Sequence, residues 1–467
     1  MEKKRKVFEK IKNLLISDSP PIIFLQGIRK VGKTTILRQI EQELDGYYVD
    51  FREAGKEAFF EAVNSEKKII LLDEIGYLPN FNSLLRDTEK QMLGGGKRWV
   101  ITSSSYDTLT RLSREDLGGG RSTPIVLFPL SFEEHLYFSG KIDFYGQDYT
   151  PKKQDLKDFY DMSNLPNEGL RLFIDKDYMD TVFHDASVAR ANISYTRPGE
   201  TLLSSNQFSA VLDLLAYNID EGSPTRAVRE KNLDVGNREF PNIGIDCAGS
   251  ILYGVKVLLA TMQAKEIARI LHYLLMNGFL FVEVVIDSET LPDADSILSR
   301  LEKASSDEDL TGILTDFSLN VISPLLYTRL RHDLENTMGR GSNYDNWKGN
   351  LYELTVKTES IFQWFQRNKY KSYKFHQVGL EETQAVDLYL APTPSRKGLL
   401  LECSVANKSE SDYWVHKVFP ARNDLVRIVT SAGKTEMKGE GIVYFKMNHM
   451  EAVHKMSNGT ILDIEVD

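Results

Sequence analysis

The segment Gly27-Ile28-Arg29-Lys30-Val31-Gly32-Lys33-Thr34 lies between a short apolar run at residues 21–25 and a helix-like stretch from 34 to about 44. A glycine, four residues and then Gly-Lys-Thr, set between a strand and a helix, is the phosphate-binding P-loop pattern. Gly27 and Gly32 let the backbone turn back so that its N–H groups face a phosphate. The start of the following helix adds about half a positive charge aimed at the same place. The motif predicts a nucleotide cradled by residues 27–35, Thr35 included, with Lys33 on the β and γ phosphates and the Thr34 hydroxyl on Mg²⁺.

A second run strengthens that reading. Ile69-Ile70-Leu71-Leu72-Asp73-Glu74 is apolar and ends in two carboxylates, the Walker B form. Asp73 is expected to hold Mg²⁺ through its water shell, and Glu74 to orient the attacking water. Further apolar runs at 47–51, 98–102 and 124–128 alternate with helical patterns at 56–64 and 83–93. Fully apolar strands separated by helices predict a parallel sheet covered on both faces, a three-layer α/β P-loop core over residues 1–138. Two later features near it each have two readings. Thr102 and Ser103 end a strand, as γ-phosphate-sensing hydroxyls or as part of a Ser-rich turn. Arg121 follows three glycines, as an arginine offered to a neighbouring subunit or as a surface residue beside a loop.

Beyond residue 138 the texture changes. Residues 139–340 predict a helical linker, a helix at 266–277 followed by a strand at 279–286 as in a winged-helix unit, and an acidic exposed insertion near 287–315. From 346 to 467 the expectation is a helix at 351–366, strands at 374–378, 385–391 and 398–406, a helix at 420–431 and a strand at 441–445.

Composition sets the outer limits. Hydrophobic residues are 42% and charged residues 27%, values that exclude disordered and fibrous classes. No run approaches the ~18–20 uncharged apolar residues of a membrane span, and the basic N-terminus has no unbroken apolar core of the secretory kind. Two cysteines make no disulfide framework, and the eight histidines form no short-spaced ligand pair for zinc. The expectation is a soluble cytoplasmic protein. Its net charge of −10 falls on the middle: residues 1–140 carry +1, 141–340 carry −11 and 341–467 carry 0. A nucleic acid or polyphosphate would therefore favour the outer thirds.

Taken with Leu-Leu-Asp-Glu-Ile, Ile-Thr-Ser-Ser-Ser, Gly-Gly-Arg and Phe-Pro-Leu-Ser-Phe-Glu-Glu, the P-loop resembles that of the prokaryotic AAA+ ATPases with a winged-helix region and a C-terminal PD-(D/E)XK-nuclease-like region. The likeness is specific over 20–136, looser over 200–340, and returns at Gly349-Asn350-Leu351-Tyr352-Glu353. It implies ATP as the nucleotide, Thr102 and Ser103 at the sensor-1 strand end, Arg121 as an arginine finger, and a homo-oligomer.

The same resemblance implies a second carboxylate site. Glu353, Asp387 and Glu402 match the acids of a PD-(D/E)XK pattern, which hold Mg²⁺ against a scissile phosphate. The lysine of the pattern is Ser404 here, and Lys408 is four residues further on. Three readings stand: a non-catalytic remnant, an active metal nuclease, or plain surface acids. The basic aromatic stretch 367–374 suits a nucleic-acid backbone or a helix end with solvated lysines. The overall expectation is a Mg²⁺-dependent ATP-hydrolysing switch or motor with a DNA or protein partner. The alternatives are an ATP-regulated DNA nuclease and a signalling or scaffold NTPase.

Overall fold

The computed structural model describes residues 3–17, 20–103, 121–161, 211, 262–276, 278–286, 296–324, 326–328, 344–368, 372–376, 385–392, 397–403, 423–432, 436–438 and 444–461. The chain enters through helix α1 (Lys6–Ile16) and then alternates strand and helix: β1 (Ile22–Gln26), α2 (Lys33–Leu44), β2 (Tyr47–Asp50), α3 (Lys56–Asn64), β3 (Ile69–Asp73), α4 (Phe81–Leu93), β4 (Arg98–Ser103) and β5 (Ser122–Val126). The five strands form one parallel sheet in the order β2-β3-β4-β1-β5. Successive side chains of a strand point to opposite faces. Ile23 and Leu25 of β1 therefore pack with α1 and α2, while Ile22 and Phe24 pack with α3 and α4. The three-layer expectation holds here.

The sheet order places the site. Strand β4 sits between β1 and β3, with Gln26 opposite Ser103 and Ile101 opposite Leu72. The carboxyl ends of β1, β3 and β4 thus open on one edge, where ligands of open α/β sheets bind.

After β5 come α5 (Phe132–Phe138) and α6 (Lys153–Asp161), then α7 (Ala264–Met276), β6 (Leu280–Ile286), α8 (Ser296–Lys303), α9 (Asp307–Asp316), β7 (Phe317–Val321) and the long α10 (Tyr344–Asn368). The remaining elements are β8 (Ser372–His376), β9 (Ala385–Leu390), β10 (Gly398–Glu402), β11 (Leu425–Ser431), β12 (Glu436–Lys438), β13 (Tyr444–Asn448) and α11 (His449–Asn458). These strands make a second, mixed sheet in the order β12-β13-β11-β10-β9-β8-β6-β7.

Three expectations for this half differ from the structure. Strand β6, expected within a winged-helix unit of the middle region, pairs antiparallel with β7 and parallel with β8. One sheet therefore runs across the boundary drawn at 340–346. The acidic stretch 287–315 is not wholly an exposed insertion: α8 and α9 bury Ile297, Leu301, Leu310, Ile313 and Leu314. Its acids and serines serve its ends, since Ser306 and Asp309 form a reciprocal cap on α9. The helix expected at 420–431 is strand β11. Leu425-Val-Arg-Ile-Val-Thr-Ser is buried at every position, so no alternation marks it, and its β-branched residues suit a central strand. The apolar spacing at 207–217 is that of a helix, but that segment lies outside the described residues except for residue 211, as do the glycines at 118–120.

Candidate functional site

The P-loop begins where β1 ends. A side chain at Gly27 would come within 2.4 Å of the Leu127 carbonyl oxygen, so the loop can pack against the segment after β5 only with glycine there. Lys30 (φ 68°) and Gly32 (φ 98°) are both left-handed and turn the chain into α2. Gly32 caps α2 without any side chain, which leaves the first N–H groups of the helix for an anion. Lys33 is buried, and its Nζ donates to the carbonyls of Gly27 (2.9 Å) and Ile28 (3.2 Å). It lies 3.9 Å from Glu74 Oε1. Burial pushes the Lys33 ammonium down, against the pull of Glu74 and Asp73.

Asp73 is the hub of the arrangement, with no exposed surface. Its Oδ2 accepts from the Thr34 hydroxyl at 2.7 Å and the Tyr48 hydroxyl at 2.8 Å. Its Oδ1 accepts from the Thr102 hydroxyl, which in turn accepts from the Glu74 N–H at 3.1 Å. One threonine at the tip of β4 thereby ties the two acids together. Glu74 is left-handed (φ 51°), a conformation that costs a non-glycine residue energy and is retained chiefly at working sites. Burial, and the charge of Asp73 to which it donates, push the Tyr48 hydroxyl well up. Arg38 lies over its ring, 3.5 Å from the centroid.

The structure brings together Lys33, Thr34, Asp73, Glu74 and Thr102. Ser103 is buried beside them at the end of β4, but Thr102 is the hydroxyl bonded to Asp73. Arg121 lies at the other edge of the sheet, where its carbonyl accepts from Ile22 N–H. That is the start of β1, about 16 Å of strand from the P-loop at ~3.3 Å per residue. Its guanidinium is exposed and pairs with Glu89 at 2.7 Å. Arg121 is out of reach of its own P-loop.

Tyr48 was not legible as a site residue. Its signal is its place on β2 two residues before Asp50, which is opposite Asp73 in the β2–β3 register. A divalent ion suits this donor set. Asp73 and Thr34 present a carboxylate and a hydroxyl side by side, the hard oxygens that Mg²⁺ takes beside phosphate and water.

The second carboxylate cluster is built differently. Asp387 on β9 accepts the Cys403 N–H at 2.7 Å, Glu402 on β10 is buried, and Glu353 stands on α10. Lys408 and Ser404 lie outside the described residues. A lysine missed by the sequence reading stands here instead: Lys357, one helical turn beyond Glu353. It is 2% exposed, with Nζ 2.7 Å from Glu353 and 2.9 Å from Glu283 on β6. Glu283 also accepts from Asn320 at 3.0 Å. Burial would lower the Lys357 ammonium, but Glu283, Glu353 and Asp387 overcome it and hold the charge firmly. Its signal was the i, i+4 spacing from Glu353. Among the described residues, no group of three or more His, Cys, Asp or Glu is arranged to hold a metal ion. The side chains of the basic stretch 367–374 lie outside the described residues.

Residues 19–136 match the family described as the AAA domain. This segment is an AAA-family P-loop ATPase domain. No curated protein matches the chain. Among solved structures it is similar to the Walker-type ATPase of Pyrococcus abyssi, with 12% identity over 67% of this chain and 95% of the other and a TM-score of 0.35. It is also similar to AMPPCP-bound DnaA from Aquifex aeolicus, with 12% identity over 57% and 82% and a TM-score of 0.27. A third is the Aeropyrum pernix ORC1 protein in complex with DNA, with 14% identity over 71% and 92% and a TM-score of 0.24. Among the described residues, no helix is long and apolar enough to cross a membrane.

Proposed function

We propose that the chain is a Mg²⁺-dependent ATP-hydrolysing switch, working as a homo-oligomer, whose C-terminal region recognises nucleic acid. The observation that carries the reading is the bonding of Thr34 and Thr102 to the two oxygens of Asp73, with Glu74 joined to the same Thr102. Residues 27–35 would hold the phosphates through backbone N–H groups, and Lys33 would leave the Gly27 and Ile28 carbonyls for the β and γ oxygens. Thr34 and Asp73 would hold Mg²⁺, which when bound neutralises charge on those oxygens. Glu74 would orient the water that attacks the γ phosphorus. Arg121, at the far edge of the sheet, would serve only a neighbouring copy.

A second reading, an ATP-regulated nuclease, has one observation in its favour. Helix α10 and strands β9 and β10 carry Glu353, Asp387 and Glu402, and the ammonium of Lys357 lies 2.7 Å from Glu353, although among the described residues these acids are not arranged to hold a metal ion. Against cutting, Lys357 is buried and already engaged by two carboxylates. One experiment separates the readings: ATP hydrolysis with and without single- and double-stranded DNA, with plasmid integrity followed in the same tubes. The expected result is hydrolysis that DNA stimulates, lost in Lys33→Ala, with the plasmid intact. Plasmid linearised in Mg²⁺ and spared by Asp387→Ala would select the nuclease. Hydrolysis indifferent to DNA would select a scaffold NTPase acting through protein contacts.

A further inference from the structure

The Phe-Pro-Leu-Ser-Phe-Glu-Glu motif at residues 128–134 takes no part in the site just described, yet three of its residues are joined to the P-loop through a single side chain. Arg5, at the start of α1, is 8% exposed. Its Nη1 donates to the Val31 carbonyl at 2.7 Å, and its Nη2 donates to the Phe128 and Pro129 carbonyls at 3.0 and 3.3 Å. Glu134 grips the same guanidinium from two sides, Nε to Oε1 and Nη2 to Oε2, both 2.7 Å. The carboxylate is itself fixed by the N–H groups of Lys6 (3.0 Å) and Ser131 (3.1 Å). Burial would push the Glu134 carboxyl up, but Arg5 and these N–H groups hold it below its usual range.

We infer that Arg5 is a positioning residue for the P-loop, with Glu134 as its anchor; this rests on the nucleotide reading above. In a planar trans peptide the C=O and the following N–H point in opposite directions. Holding the Val31 carbonyl toward Arg5 turns the Gly32 N–H away from it, into the concave side of the loop where a phosphate would lie. Gly32 is left-handed at φ 98° and a Cβ there would meet nothing within 4 Å, so that peptide is held on one side by the buried Val31 side chain and at its carbonyl by Arg5. The guanidinium supplies the restraint from outside, and a planar fork does this in a way that a point-like ammonium does not.

The anchor also leaves the ATPase core. Helix α5, which carries Glu134, has its first N–H, from Phe132, bonded to Glu359 of α10 at 2.7 Å. Its second, from Glu133, bonds to the Ser457 hydroxyl of α11 at 2.7 Å. The chain of contacts runs from the Val31–Gly32 peptide through Arg5, Glu134 and α5 to two helices that pack with the second sheet.

The test is ADP and adenosine affinity of wild type, Arg5→Lys, Arg5→Met and Glu134→Gln, with Lys6→Ala as control and circular dichroism to confirm folding. Losing a charge-assisted contact predicts ADP binding weaker by about tenfold or more in the Arg5 variants. Adenosine, which has no phosphate, should bind as in wild type, and Lys6→Ala should match wild type for both. A role confined to stability would lower the melting temperature without nucleotide and leave the ADP affinity of the folded protein alone. Folded Arg5 variants with wild-type ADP affinity would overturn the inference. Should both fail to fold, Glu134→Gln, which leaves Arg5 its three carbonyls, decides: several-fold weaker ADP supports the inference and unchanged ADP overturns it. Lys33→Ala in the same series keeps the two readings apart. If it loses ADP while the Arg5 variants keep it, only the Arg5 inference fails; if it binds ADP like wild type, the nucleotide site itself is misplaced.

Discussion

Each of the two sheets carries a buried carboxylate site, and the two neutralise their acids by different means. At the edge of the parallel sheet, Asp73 accepts from the neutral hydroxyls of Thr34, Tyr48 and Thr102, with the Arg52 guanidinium at the outer distance of 4.0 Å and the nearest lysine resting on backbone carbonyls. In the mixed sheet, Glu283 and Glu353 close directly on the ammonium of Lys357. Hydroxyls can turn their lone pairs toward an arriving cation at little cost, because they carry no charge to displace. An ammonium between two acids must be moved or repelled before a divalent ion can share them. The first site bonds its acid through neutral donors and keeps its cations at about 4 Å, whereas the second holds an ammonium in direct contact.

The largest effect that would break this contrast lies in the second site. Lys357→Met leaves Glu283 buried and Glu353 half-buried without their cation, and removing one partner of a buried pair costs about 3–5 kcal/mol. Denaturation of the variant should show that loss. ATP hydrolysis by the protein still folded should be unaffected. A variant as stable as wild type would mean that Lys357 is not the internal cation described.

The next effect sharpens the contrast from the other side. Glu74→Gln keeps the shape, the left-handed backbone and the Glu74 N–H bond to Thr102, but removes the carboxylate that would act on water. Hydrolysis should fall by about 10²–10³, with ATP binding retained in an equilibrium titration. Wild-type turnover would remove Glu74 from the chemistry.

The first half of the molecule was far more legible than the second, for a physical reason. Strands β1, β3 and β4 are short apolar runs ending in residues of distinctive chemistry, and the glycines and lysine between β1 and α2 admit few other folds. Strand β11 is equally apolar but ends in nothing distinctive, and a fully buried strand shows no period to tell it from a helix. The pairing of β6 with β8 joins residues about ninety apart in sequence, which no local pattern encodes. Within the site, the Walker residues followed from spacing. Thr102 as the link between Asp73 and Glu74 needed the β4-between-β1-and-β3 order. Lys357 was hidden because the lysine was sought on the strand after Glu402, although the helix carrying Glu353 brings one to the same place a turn later.

The last expected effect concerns a third carboxylate, which joins the two regions. Glu359 of α10 is fully buried; its Oε1 accepts the Phe132 N–H, and its Oε2 has no hydrogen-bond partner among the described residues. Where Asp73 has three hydroxyls it has that of Ser457, and it lacks an ammonium in contact such as Glu283 has. Burial pushes its carboxyl up to about 8, opposed by the Phe132 N–H and Ser457, with Glu134 raising it further and Lys6 lowering it. The folded protein therefore holds a proton on Glu359 that the unfolded chain releases near its ordinary value of 4.5. A folded-state value raised in this way gives stability that is complete below 4.5 and is lost as the pH rises through about 8. Glu359→Gln keeps an oxygen for the Phe132 N–H and removes the titration. Melting temperatures from pH 5 to 9 should thus decline more steeply in wild type than in the variant, the two curves separating most above pH 8. Parallel curves would show that Glu359 is ionised in the folded protein, and that the contact between α5 and α10 tolerates a bare buried charge.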